Sequence, residues 1–75
     1  MSENKVVVTF HTTTEAMAWE RVCKNEGLPG RLIPMPVQIS AECGLVWLIH
    51  AREQERLMER ATELGLKCDK VIQLV

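Results

Sequence analysis

Apolar residues fall in four short runs and two longer stretches with helical spacing. Lys5-Val-Val-Val-Thr-Phe10 is β-branched and nearly continuous, which predicts a strand buried on both faces. Thr12, Thr13 and Thr14 follow, any of which can cap a helix, and Glu15 suits the positive first turn. The helix should run from about Glu15 to Glu26 and stop at Gly27. Its apolar face is Ala16, Trp19, Cys23 and Val22, at spacings of three and four. Arg31-Leu-Ile33 reads as a short second strand ended by Pro34, and Leu45 to His50 as a third, the most apolar part of the chain. A second helix is predicted from about Arg52 to Leu64, with Leu57, Met58, Ala61 and Leu64 on one face and Gly65 as its C-cap. Lys70 to Val75 reads as the last strand.

This β-α-β-β-α-β order predicts an α+β, ferredoxin-like fold, with a four-stranded antiparallel sheet carrying both helices on one face. Counted along the chain, the expected strand order is 4-1-3-2. That order gathers His11, Thr12 to Thr14, Cys43 and Cys68 at one edge of the sheet and sends His50 to the opposite edge. With 75 residues, one small domain spans residues 1–75, and a homodimer is a reasonable expectation for so small a core. No internal repeat or low-complexity tract is present.

The connection between the second and third strands departs from this economy. A simple hairpin needs a short turn rich in Gly, Asn or Asp. This chain instead places Pro34, Pro36, Ser40, Cys43 and Gly44 between the two runs. The two prolines reduce the loop's freedom in the unfolded chain, Ser40 can bond within the turn, and Gly44 removes a Cβ beside the thiol. The segment looks built to present Cys43. A helix N-terminus at the same edge would lower the pKa of a thiol, and the thiolate is the reactive form.

Charge and cysteine usage narrow the rest. A formal net charge of −1 without a basic stripe argues against nucleic-acid binding. The first residues lack the basic and apolar regions of a signal peptide, and no apolar run approaches the ~18 residues of a membrane span. The expectation is a cytoplasmic protein with no membrane association. Cys23, Cys43 and Cys68 are odd in number and lie far apart without zinc-ligand spacing, so they are read as free thiols, with no metal and no cofactor. Cys23 belongs to a helix's apolar face and is read as core. Cys68 is read as a packing or surface residue, with a resolving role toward Cys43 left open. The strand order would separate their strands by two spacings of ~4.8 Å, while a disulfide needs Cα atoms within roughly 7 Å. His11 is either a hydrogen-bonded structural histidine or a thiolate partner. Trp19 and Trp47 are read as core and interface anchors, and the mixed charges of the second helix as a solvated face.

The segment Ile33-Pro34-Met35-Pro36, followed by Ile39-Ser40-Ala41-Glu42-Cys43-Gly44-Leu45, resembles the putative selenium/sulfur carrier protein-like family. The family pattern is Ile/Val-Pro-x-Pro, often with Arg next, then Ser-x-x-Cys-Gly and an apolar strand. The stretch Phe10-His-Thr-Thr-Thr-Glu-Ala16 is similar as well. Val37 stands where the family often has Arg. The resemblance implies handling of sulfane sulfur or selenium as a Cys43-bound persulfide or selenosulfide. It also implies a donor such as a cysteine desulfurase and an acceptor enzyme, the protein being a carrier more than a stand-alone enzyme.

Two other readings compete. In one, the domain is a non-catalytic ligand-binding, regulatory or protein-interaction module whose thiol is incidental. In the other, Cys43 and Cys68 form a thiol redox sensor.

Overall fold

The computed structural model of the chain describes residues 4–35 and 44–74. Its elements are β1 (Lys5–Thr9), α1 (Thr13–Glu26), β2 (Arg31–Pro34), β3 (Leu45–His50), a 3-10 turn (Ala51–Glu53), α2 (Gln54–Glu63) and β4 (Val71–Leu74). The strands form one antiparallel sheet in the order β2-β3-β1-β4, which is the expected 4-1-3-2 read from the other side. The architecture is the ferredoxin-like α+β arrangement.

Alternation along the central strands explains the layering. Val6, Val8 and Phe10 project to one face, with Trp47 and Ile49 beside them from β3. Ala16, Trp19 and Cys23 of α1 and Leu57 and Ala61 of α2 close this core. Phe10 and Trp19 meet edge to face, with centroids 5.4 Å apart. Val7 and Thr9 belong to the opposite face and are buried as well, so β1 is covered on both sides as its β-branched run predicts. On α1 and α2 the predicted apolar stripes are the buried ones, with Val22, Met58 and Leu64 half-buried at their margins.

The element ends differ from the sequence reading in ways that have local causes. β1 stops at Thr9, because Phe10 turns into the core against Trp19 and His11 begins the helix approach. Thr12 is the threonine that caps α1, which starts two residues earlier than expected, at Thr13. β2 extends to Pro34, which pairs with Leu45. Met35 N–H donates to Gly44 O at 3.0 Å, so Met35 and Gly44 are a hydrogen-bonded pair. Pairs alternate along an antiparallel ladder, which puts Pro34 at a position that needs no donor toward β3. The second helix opens with the 3-10 turn and is α-helical only from Gln54. It ends with a Leu66 N–H to Ala61 O bond around Gly65. β4 starts at Val71 rather than Lys70, because the Lys70 backbone is taken up by Thr9. Val75 lies outside the described residues.

Gly30 shows why the entry to β2 is glycine. It has φ +116°, and a Cβ built there would lie 2.6 Å from Trp47 Cε2 and 2.7 Å from Ile49 Cγ2. The close approach lets Trp47 Nε1 donate to Pro29 O at 2.9 Å, which satisfies a buried indole N–H.

Candidate functional site

The β1–β3 register pairs Thr9 with Val46. Gly44 lies two residues before Val46, where the chain enters β3 beside the end of β1. Gly44 is bonded through its carbonyl to Met35 on its other side. It therefore sits at the edge where β1 ends, β3 begins and α1 starts. Its φ of +76° lies in the left-handed region, and nothing lies within 4 Å of a Cβ built on it. The glycine is required there by the backbone turn, not by crowding.

A polar cluster closes this edge. Thr12 Oγ1 accepts from Glu15 N–H at 3.1 Å, while the Glu15 carboxylate accepts from the His11 backbone N–H at 2.9 Å. Sequence spacing of Thr and Glu three residues apart thus becomes a cap whose return bond goes to His11, the residue before Thr12. The His11 ring bridges two carboxylates: Nδ1 is 3.2 Å from Glu15 Oε1 and Nε2 is 3.1 Å from Asp69 Oδ1. The bridge joins the start of α1 to the residues entering β4. It is partly exposed, with 55% of the His11 side chain accessible.

Thr9 anchors the cluster from below. It is 1% exposed, and its hydroxyl accepts from Lys70 N–H at 3.0 Å and donates toward Lys70 O at 3.4 Å. Asp69 N–H donates to Thr9 O at 2.7 Å, and Thr9 N–H to Lys70 O at 2.8 Å. The neighbouring residue, Cys68, is half-buried and packs against the core.

Electrostatics divide the thiols and acids of this edge. The His11 backbone N–H, with help from its ring and from Lys67, holds the Glu15 carboxyl below its ordinary 4.5. Burial pushes the Cys68 thiol up, and the Glu15 and Asp69 carboxylates push it the same way. Cys68 is thus disfavoured as a thiolate, which suits it poorly to attack a disulfide. Burial alone raises Cys23 to about 11, consistent with its place in the core. At the N-terminus of α1, Glu15 N–H bonds to the Thr12 hydroxyl and Ala16 N–H to the Thr12 carbonyl. The amides of Thr13 and Thr14 precede them in the first turn, where helix geometry provides no intrahelical acceptor.

Of the residues singled out from sequence, His11, Thr12, Thr13, Thr14, Pro34, Gly44 and Cys68 are found at this edge. Pro36, Ser40 and Cys43 lie outside the described residues. His50 pairs with Lys5 at the far end of the same strands, as expected. Two residues were missed. Thr9 is a hydroxyl at the end of an otherwise apolar run, which is the trace it leaves in sequence. Asp69 has no local signal, because its partner is distant in the chain.

No helix among the described residues is long and apolar enough to cross a membrane. No curated protein and no solved structure matches the chain. One family model does, over residues 5–73, a span that takes in both helices and nearly all of the sheet. The chain belongs to the putative Se/S carrier protein-like family.

Proposed function

We propose that this protein carries sulfur or selenium between enzymes as a persulfide or selenosulfide on Cys43. Family membership points to a carrier role in general. The observation that supports the finer reading is the position of Gly44, which follows Cys43 in sequence. It leads into β3 beside the end of β1, the end from which the chain runs into α1. Backbone amides and a helix N-terminus favour an anionic sulfur, whether thiolate or persulfide.

The chemistry needs no cofactor. The Cys43 thiolate attacks the outer sulfur of a donor persulfide, such as that of a cysteine desulfurase. A new S–S bond forms at Cys43, the donor's S–S bond breaks, and the donor leaves as its thiolate. An acceptor thiolate then attacks the outer sulfur and releases Cys43. Each step is an exchange with no net oxidation. Cys68, kept protonated by its surroundings, would leave the loaded thiol intact instead of resolving it.

The test is incubation with a cysteine desulfurase and cysteine, followed by intact-mass measurement. The native chain should gain one sulfur, and Cys43→Ser should gain none while keeping its circular dichroism. Equal loading of Cys43→Ser would overturn the proposal.

A further inference from the structure

At the end of the sheet opposite Gly44, a cavity of 380 Å³ is lined by Lys5, Gly30, Arg31, Leu48, His50 and Glu53, with Ile49 at its back. Strand periodicity explains the convergence. Lys5 is directly opposite His50, and Arg31 is opposite Leu48, two residues before His50. Side chains two apart share a face, so Lys5, Arg31 and His50 project from three adjacent strands to the same side.

Ion pairs engage only part of the basic surface among the described residues. Lys24 is held by Glu20, and Arg60 by Glu26 and Glu63. Lys5 and Arg31, like Arg21, Arg56, Lys67 and Lys70, make no ion pair among the described residues, and of these only Lys5 and Arg31 line this cavity. Both are exposed at the mouth of the cavity. Arginine offers a planar fork that binds two oxygens of one anion, and lysine supplies a compact charge beside it. Leu48 gives an apolar wall, and Glu53 is an acceptor for a hydroxyl. The volume is in the range of small-ligand pockets.

We propose that this cavity binds a phosphate group, with Arg31 and Lys5 on its oxygens and Leu48 beside any organic body attached to it. The site is separate from the thiol edge and does not depend on it.

The test is a titration followed by amide resonances, using inorganic phosphate and glycerol phosphate, with glycerol and sodium chloride of equal ionic strength as controls. Saturable shifts at Gly30, Arg31, Leu48 and His50 are expected with both phosphates and with neither control. Arg31→Gln and Lys5→Gln should each weaken binding by about tenfold, the scale of one charge-assisted contact. Cys43→Ser should bind as the native chain does. Tighter binding of glycerol phosphate would assign the site to an organic phosphate, and equal affinity to the free ion. Either result upholds phosphate recognition. Linear shifts, the same shifts with chloride, or unchanged affinity in both Arg31→Gln and Lys5→Gln would overturn it.

Discussion

Replacing Gly30 by alanine tests the packing argument where the fold is least forgiving. The new methyl would meet the Trp47 ring and lie 2.7 Å from Ile49 Cγ2, and both residues belong to the buried core. The indole cannot yield freely, because its N–H is tied to Pro29 O. Three costs combine. A non-glycine residue at a φ of +116° is strained by about 1–3 kcal/mol. Overpacking a core adds typically about 1–3 kcal/mol. Shifting the indole off its acceptor leaves a buried donor unpaired, at about 1–3 kcal/mol. Because one movement of Trp47 can relieve more than one of these, about 3–6 kcal/mol is the expected total. A chain of 75 residues has about 4–11 kcal/mol of stability to lose. The control is Gly27→Ala. Gly27 also has a positive φ, +69°, but nothing lies within 4 Å of its Cβ position. Its cost should be backbone strain alone, about 1–2 kcal/mol. Urea unfolding followed by tryptophan fluorescence measures both. Gly30→Ala should lose clearly more free energy than Gly27→Ala, about 3–6 against about 1–2 kcal/mol. Equal losses would refute the account of Trp47 packing.

Other consequences can be measured in the same way. Thr9→Val should destabilise the protein by about 1–3 kcal/mol, since the Lys70 N–H loses its acceptor, and the loss should appear in urea midpoints. The Glu15 carboxyl is held below 4.5 in the folded state, so its stabilisation is present above that value and is lost as pH falls through the folded pKa. The melting difference between the native chain and Glu15→Gln should accordingly be present at neutral pH and vanish in acid; a difference that persists unchanged would contradict the Glu15 cap. Cys23 titrates at about 11 when folded and near 9.0 when unfolded, so it favours unfolding as pH rises from 9.0 toward 11. Cys23→Ala should lack that alkaline loss of stability, measured as the slope of melting temperature against pH. Trp19→Phe should cost less than its lost volume suggests. The Trp19 indole N–H is buried with no acceptor among the described residues, so the substitution also removes an unsatisfied donor.

The fold was legible because its elements are consistent at short range. Val6 to Val8, the Ala16-Trp19-Cys23 stripe and the Leu57-Ala61 stripe each announce a face, and each face is buried as announced. The ends were less legible, since they are set by partners far away in the chain. Pro34 remains in a strand because of how Met35 pairs with Gly44, and Lys70 is drawn out of one by the Thr9 hydroxyl. The polar edge was half legible for the same reason. Thr12 and Glu15 form a local motif, and their cap is visible in the spacing. The second arm of the His11 bridge reaches Asp69, across a separation that no local pattern encodes. The segment from Pro34 to Gly44 speaks through its residue types, two prolines, a serine and a Cys-Gly pair, and through the family to which the chain belongs.

The central claim is that Cys43 is a presented, readily ionised thiol, and alkylation resolved by thiol tests it most directly. The native chain would be treated with iodoacetamide across a range of pH, and Cys23, Cys43 and Cys68 quantified separately by mass spectrometry. Burial raises Cys23, and burial with two carboxylates raises Cys68, so both should react slowly at neutral pH. Cys43 should react fastest, with a midpoint clearly below the unperturbed ~8.5. A Cys43 that reacts no faster than Cys68, or titrates at or above that value, would contradict the carrier reading.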